Sequence, residues 1–175
     1  MSMNTVYEAI LSRRSIKSYT AQQVPQELLE KVIEAGRYAP TGMNAMAPIF
    51  IAVQNPQVIA KLSKMNAAVM GMNGDPFYGA PTVILVLANR ERGTWLQDGS
   101  LAMENLQLAA HALGLGSCWI HRCYEMFESD EGKALLKEWG VEGDYAGVAC
   151  CILGYAAGEP KPRIERRENQ VFYVK

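Results

Sequence analysis

The sequence has no apolar run of about 18 residues, the length that a membrane-spanning helix requires. It opens with Met1-Ser2-Met3-Asn4 directly before an amphipathic stretch, so the charged and apolar regions of a secretory leader are also missing. The net charge is only −1, whereas nucleic-acid-binding proteins present broad basic surfaces. These absences predict a cytoplasmic protein that binds neither membranes nor nucleic acids.

Two common groups of catalytic motifs are absent as well. The sequence has no Gly-x-x-x-x-Gly-Lys-Ser/Thr loop and no Gly-x-Ser-x-Gly elbow, which excludes a P-loop enzyme and disfavours a serine hydrolase. Gly114 and Gly116 form a Gly-x-Gly, but Trp119 occupies the third glycine position of a dinucleotide-binding turn. These glycines follow a predicted helix, so we interpret Gly114 as its C-cap and His111 as a surface or interface residue.

Cysteine is scarce, with four residues, Cys118, Cys123, Cys150 and Cys151, in or beside apolar segments. Free cysteine in such surroundings is usually buried, and disulfides are rare in the cytosol. Cys118, His121 and Cys123 are close in sequence, but alternation along a predicted strand places Cys118 on the face opposite the other two. Since no second pair with zinc-ligand spacing occurs, we predict no metal site.

Segments with helical spacing of apolar residues alternate with short apolar segments typical of strands, which indicates an α/β protein. We predict five helices: one that ends near Ser12, one from Pro25 to before Pro40, one from Asn55-Pro56 to before Met65, one from Thr94 or Asp98 to about Leu113, and one from Ser129 to Trp139. We predict four strands, at 49–53, 83–88, 117–121 and 146–155. With 175 residues and no repeat or linker, the chain is predicted to form one domain.

Two apolar features exceed what one small domain readily buries. The predicted long helix carries apolar residues around most of its circumference, from Leu96 to Leu113, which indicates that part of it lies in a subunit interface. The tail, residues 158–175, is charged until the apolar segment 171–174. That segment either crosses to a second subunit and adds a strand there or returns to an edge of its own sheet, and the residues alone favour neither alternative.

Two short basic segments lie near opposite ends of the chain, Arg13-Arg14-Ser15-Ile16-Lys17-Ser18 and Lys161-Pro162-Arg163. Arginine offers a planar fork for phosphate oxygens, lysine adds a point charge, and a serine hydroxyl donates a further hydrogen bond. The two segments together suggest one small anion that is held from both sides. Taken separately, each segment is better explained as solvated surface.

Four segments occur in a recognisable order. They are the first basic segment after a short helix, then Ala39-Pro40-Thr41-Gly42-Met43-Asn44, then Gly114-Leu115-Gly116-Ser117-Cys118-Trp119-Ile120, and finally Gly154-Tyr155 with the second basic segment. From about Val6 to Val174, the chain therefore resembles the FMN-dependent nitroreductase family. The resemblance implies an α/β (α+β) three-layer fold, in which helices flank a central, mostly antiparallel sheet. It also implies an intertwined homodimer with crossing tails and two FMN molecules between the subunits.

The resemblance further implies which residues contact FMN. They are Arg13, Arg14, Ser15 and Lys17 at the phosphate, ribityl chain and pyrimidine edge; Pro40, Thr41, Gly42, Met43 and Asn44 in a loop that often comes from the neighbouring subunit; Trp119, Ile120, His121 and Arg122 near flavin N5; and Lys161 and Arg163 at the phosphate. Gly42 is expected to allow close backbone approach to the flavin. Family members commonly have a small or acidic residue and a glycine in place of His121-Arg122. His121 is therefore a candidate pocket residue, and a solvent-facing or Trp119-packed histidine is an equal alternative.

The activity implied by the resemblance is that of an FMN-dependent NAD(P)H oxidoreductase. It would reduce nitroaromatic or quinone-like acceptors by a ping-pong mechanism, with NADH or NADPH as donor and FMN carrying the chemistry. Two alternatives stay open: a flavin carrier or sensor with little turnover, and a different reaction on the same fold, such as reductive dehalogenation or flavin cleavage. Short connections at 65–80 and 89–93 predict a more open pocket than in larger members.

Overall fold

The computed structural model describes residues 5–175, so the expectation drawn from Met1-Ser2-Met3-Asn4 falls outside the described residues. The helices are α1 (Thr5–Ser12), α2 (Gln26–Arg37), α3 (Pro56–Met70), α4 (Trp95–Ala112), α5 (Cys123–Glu128) and α6 (Asp130–Glu138), and the strands are β1 (Pro48–Val53), β2 (Thr82–Asn89), β3 (Gly116–Ile120) and β4 (Tyr145–Gly154). A short 3₁₀ turn at Gly42–Asn44 precedes β1. The mixed α/β composition is thus confirmed.

The four strands form an antiparallel sheet in the order β1-β2-β4-β3. Strand β2 lies inside the sheet, and its residues are buried from Thr82 to Ala88. Its side chains alternate between two hydrophobic cores: Val83, Leu85 and Leu87 belong to the first, and Ile84, Val86 and Ala88 to the second. The sheet therefore forms the middle layer of the predicted three-layer fold.

Helices cover both faces of the sheet. Helices α3, α5 and α6 contribute to the first core, and α2 and α4 contribute to the second. Helices α2 and α4 approach closely at Gly36, where an added Cβ would lie 2.7 Å from Leu106 Cδ2. At the end of α4, Gly114 has a φ of +76°, and the amide of Leu115 donates to the carbonyl of Ala110 over 2.8 Å. Gly114 thus ends this helix, as the sequence predicts.

The two edges of the sheet differ. The segment 13–20 runs along β3, where Ser15 bridges Ser117 in parallel, and reaches the end of β4, where Tyr19 bridges Ala156. The Tyr19 hydroxyl donates to the carbonyl of Ile16 over 2.7 Å, and burial raises the pKa of this phenol. Edge strand β1 pairs with β2 alone among the described residues. Its outer backbone groups are therefore available to a further strand.

The boundary between β3 and α5 corrects the sequence prediction. Strand β3 ends at Ile120 and not at His121, and α5 then occupies residues that the prediction left outside any helix. This helix has six residues, which is too short for a periodic apolar signal. Cys123 lies in α5, so the argument from strand alternation was wrong for this residue. The four cysteines are nevertheless free and buried, as predicted.

Two helix boundaries also differ from the prediction. Helix α3 continues to Met70 and ends at Gly71, which has a left-handed φ of +61°, so the connection to β2 is even shorter than expected. Asn55 caps the start of α3, as predicted, by accepting from the amides of Gln57 and Val58. At α4 the capping position is Thr94, whereas Asp98 lies inside the helix and is buried.

Several apolar side chains stay exposed on this single chain. Helix α1 buries none of its residues, and Leu96 and Leu101 of α4 are exposed. The tail forms no strand within the chain, and Val171, Phe172, Tyr173 and Val174 are 63–100% exposed. The tail thus makes no strand pairing with its own sheet on this single chain, and its crossing to a second subunit stays a prediction. None of the helices described in residues 5–175 has the length and apolarity needed to cross a bilayer.

Candidate functional site

The fold brings the two basic segments into direct contact. Nη2 of Arg14 donates to the carbonyl of Pro162 over 3.2 Å. Nη2 of Arg163 in turn donates to the carbonyl of Arg13 over 3.4 Å. Both contacts join side chains to backbone, so they leave most of each guanidinium available to another acceptor. With the neighbouring Lys161, the segments form one cationic surface, which we call the anion patch (Arg13, Arg14, Lys161 and Arg163).

Arg13 is the member of the anion patch that most clearly lacks a ligand. Its Nε and Nη1 atoms are buried and have no hydrogen-bond partner within the described residues. The carboxylate of Glu104 lies 3.7 Å from Nε, which is an ion-pair distance and too long for a hydrogen bond. Buried donors on a charged group are costly to leave unpaired. The patch therefore fits a small anion such as a phosphate monoester, which would supply the missing acceptors.

A cleft of about 280 Å³ opens beside the anion patch. Arg13, Arg14 and Ser117 contribute to its lining, as does His111 of α4. Nε2 of His111 lies 2.8 Å from the hydroxyl of Ser12 and so ties the end of α1 to α4. His111 is therefore a structural neighbour of the patch, in agreement with its interpretation as a helix-surface residue.

Lys17 and Ser15 extend the site away from the anion patch. The ammonium of Lys17 lies 5.5 Å from the centre of the Tyr78 ring. Burial raises the pKa of the nearby Cys118 thiol, and this effect outweighs a hydrogen bond with Ser15 and the charges of Lys17 and Arg13. A protonated, buried thiol is a poor nucleophile, so Cys118 is a packing residue here.

Within residues 5–175, no group of three or more His, Cys, Asp or Glu side chains is arranged to hold a metal ion.

The loop at residues 40–46 is built around three left-handed residues. Met43, Asn44 and Met46 have φ values of 55°, 55° and 48°. The loop is anchored by the amide of Gly42, which donates to Oδ1 of the buried Asp98 over 3.0 Å. The side chain of Met43 is fully exposed, so the loop presents this residue outward from its own chain.

The need for glycine at position 42 has a different cause from the one expected. A Cβ at Gly42 would lie 2.3 Å from Oγ1 of Thr94, which itself donates to Asp98 over 3.1 Å. The glycine therefore allows close packing of the loop on the start of α4, and this contact already accounts for it. Its predicted role toward the flavin stays a prediction.

The loop at 40–46 and the segment before Arg13 are anchored at different points of α4. The loop is held at Asp98, whereas the segment before Arg13 is held at His111. These two points of α4 are about 20 Å apart at about 1.5 Å per residue. Arg13 of the anion patch lies beside Glu104, between these two points.

The segment 119–122 forms the turn from β3 into α5. Trp119 is half-buried and Ile120 buried, so both side chains serve the cores. His121 is exposed, while its carbonyl accepts a hydrogen bond of 2.7 Å from Nδ2 of the buried Asn66 on α3. Arg122 has a left-handed φ of +72°. This conformation gives a physical reason for the glycine that the resemblance places at this position.

We expect Arg122→Gly to stabilise the cofactor-free protein. The left-handed conformation costs a non-glycine residue about 1–2 kcal/mol, and the additional chain entropy of glycine offsets about 0.5–1 kcal/mol of this gain. A rise of about 0.5–1 kcal/mol in the free energy of unfolding should therefore appear in urea titrations. Arg122→Ala is the matched control, because it removes the guanidinium and keeps the strained backbone. Equal stabilisation by both variants would show that backbone strain is not the cause.

Four residues of the site region were missed by sequence reasoning: Glu104, Tyr78, Asn66 and Asp98. Glu104 and Asp98 belong to α4. An acidic residue in an otherwise apolar helix is only a weak indication of a functional site. Asn66 lies in the apolar second half of α3, where a buried amide often has a specific partner. Nothing local in the sequence distinguishes Tyr78.

Comparison with known proteins gives consistent results. The profile of the Nitroreductase family matches residues 10–71 and 66–155. A protein of Methanothermobacter thermautotrophicus, provisionally named NADH dehydrogenase/NAD(P)H nitroreductase, is 31% identical over 167 residues, which cover 93% of this chain and 83% of that protein. The FMN reductase [NAD(P)H] of Bacillus subtilis is 32% identical over 138 residues, 66% of this chain and 53% of the relative.

Solved structures show the same fold over nearly the whole chain. A nitroreductase with bound FMN from Bacteroides fragilis superimposes with a TM-score of 0.89 at 29% identity and covers 97% of this chain and 98% of its own. A nitroreductase with bound FMN from Desulfitobacterium hafniense has a TM-score of 0.88 at 26% identity, with 99% and 100% covered. From the site geometry, the family profile and these relatives, the chain belongs to the nitroreductase family.

Proposed function

We propose that this protein is an FMN-dependent NAD(P)H oxidoreductase that reduces nitroaromatic or quinone-like acceptors. The observation that carries the proposal is the anion patch, in which Arg13 has two buried donors without acceptors. A phosphate monoester provides acceptors of the right charge and number for such a site. The FMN bound by the structural relatives and the NAD(P)H named for the curated relatives support this choice of cofactor and donor.

We assign each part of the site a different proposed contact with FMN or with the acceptor. The anion patch would hold the phosphate of FMN, and Ser15 and Lys17 would face its ribityl chain and pyrimidine edge. Bound FMN supplies the hydride chemistry between NAD(P)H and the acceptor. The backbone amides of His121 and Arg122 would donate toward the flavin N5 region, and the exposed His121 imidazole would line the acceptor pocket. The hydrogen bond from Asn66 supports this role by fixing the carbonyl of His121.

A homodimer would complete the site. We propose that residues 1–175 form a single domain whose tail, 158–175, crosses to the partner. Several features of one chain support this: the open edge of β1, the exposed apolar tail, the exposed α1 and the outward-facing Met43 of the loop at 40–46. In a dimer, Pro40, Thr41, Gly42, Met43 and Asn44 would approach the flavin held by the other subunit.

Spectroscopy of the purified protein tests the proposed function. We expect a yellow protein that binds FMN much more tightly than FAD, because FAD lacks the terminal phosphate monoester. Under anaerobic conditions, NADH or NADPH should bleach the flavin absorbance, and a nitroaromatic or a quinone should restore it. Colourless protein that also fails to bind added FMN would refute the proposal. Yellow protein that neither dinucleotide bleaches would instead support a flavin carrier or sensor.

A further inference from the structure

The loop between α3 and β2, residues 71–81, is short and held at several points. Oδ1 of Asp75 accepts from the hydroxyl of Ser63 over 2.6 Å and from the amide of Phe77 over 2.9 Å. Oδ2 accepts from the amide of Gly79 over 2.7 Å. Phe77 is completely buried in the first core. These contacts fix the loop through Asp75 and Phe77, so the side chain of Tyr78 is not needed to hold it.

Because this loop is fixed, the backbone of Tyr78 is held in one place. Its φ of +54° lies in the left-handed region, which is uncommon for a residue with a bulky side chain. Strain of this kind persists only where the surroundings enforce it, and it often accompanies functional sites. The side chain is 40% exposed, so the loop directs a large aromatic ring outward instead of burying it.

The ring of Tyr78 lies against Lys17. The ammonium lies 5.5 Å from the ring centre, within the distance at which a cation is attracted to an aromatic face. Lys17 takes part in none of the ion pairs found within residues 5–175. A lysine side chain has four rotatable bonds, and ordering it carries an entropic cost. Within residues 5–175, the Tyr78 ring is therefore a contact that can restrict where this ammonium lies.

We propose that Tyr78 is a positioning residue, which holds the Lys17 ammonium at the polar edge of the FMN ring. The inference rests on the proposed function, because it takes FMN as the ligand beside Lys17. The ring would order Lys17 before the cofactor binds and so reduce the entropic cost of binding. An ammonium held at this edge also favours negative charge on the flavin, and it thus raises the reduction potential.

A double-mutant cycle on apoprotein reconstituted with FMN tests the proposal. Tyr78→Leu should raise the FMN dissociation constant about two- to fivefold, the range of an exposed cation–aromatic contact, and lower the midpoint potential of the bound flavin. Tyr78→Phe should retain wild-type affinity and potential, because it keeps the ring. The left-handed backbone at position 78 is equally strained with leucine and with phenylalanine. The two variants therefore differ in the side chain and not in backbone strain. In a Lys17→Met background, Tyr78→Leu should have no further effect on either quantity.

The control is the other cation–aromatic contact, in which the guanidinium of Arg90 lies 5.9 Å from the Tyr124 ring. Tyr124 is 41% exposed, close to the value for Tyr78, so Tyr124→Leu should leave FMN affinity unchanged. Equal effects of Tyr78→Leu with and without Lys17 would overturn the proposal while leaving the proposed function intact. Wild-type protein that binds no FMN would instead overturn the proposed function.

Discussion

Arg13→Met is expected to weaken FMN binding by about 10- to 150-fold, which corresponds to about 1.5–3 kcal/mol for hydrogen bonds to a charged group. The buried Nε and Nη1 atoms of Arg13 are the donors that lack acceptors within the described residues, so they are the ones most in need of a phosphate. Methionine fills similar space without charge or donors. The dissociation constant can be measured by quenching of FMN fluorescence on titration with apoprotein.

The same variant separates a binding role from a structural one. Unpaired buried donors destabilise a folded protein, so the Arg13→Met apoprotein should be at least as stable as the wild type in urea unfolding. Lys133→Ala serves as a control for charge, because it removes one exposed cation from α6, away from the anion patch. Unchanged FMN affinity in Arg13→Met would refute a binding role for Arg13. A large loss of stability without FMN would show that the guanidinium serves the fold.

Deletion of residues 168–175 is expected to weaken the proposed dimer at least about 100-fold. Val171 and Phe172 are 63% and 86% exposed on one chain, and burial of two such side chains contributes about 3–6 kcal/mol. Sedimentation velocity at micromolar concentrations should show a dimer for the full chain and a shift toward monomer for the truncated chain. Because both subunits are proposed to form each flavin site, FMN should be lost during gel filtration of the truncated protein.

Substitutions in the full-length tail distinguish apolar contacts from tail length. Phe172→Ser should give a smaller shift toward monomer, and Glu168→Gln should give none. A wild-type chain that sediments as a monomer would refute the shared site. Dimers that persist after truncation with full retention of FMN would show that the tail has another role.

A helix or strand was predictable where a single clear pattern in the sequence identified it. The unbroken apolar segment at 83–88 identified strand β2, and Asn55 followed by Pro56 identified the start of α3. The exact ends of elements were less predictable, because they depend on tertiary contacts. Helix α5 follows a left-handed Arg122 that no propensity favours, and it packs its Cys123 against the backbone at Gly147.

The structure brings the two basic segments together, while the binding role of each site residue stays a prediction. The meeting of Arg14 with Pro162 follows from the segment 13–20 lying along the sheet edge, which a charge pattern cannot reveal. The role of Glu104 depends on the placement of α4 under that segment. At Gly42 the structure gives a packing reason for the glycine, its close approach to Thr94, which the sequence did not indicate.

The contact between Arg14 and Pro162 spans 148 positions of the chain, so it can form only late in synthesis. The first basic segment leaves the ribosome early, but the surfaces on which it lies, near Ser117 and Ala156, emerge much later. Until then, Arg13 and Arg14 belong to a segment without a docking partner. Capture of the proposed FMN should thus be confined to completed or nearly completed chains, and nascent fragments that end before Lys161 should emerge without the flavin.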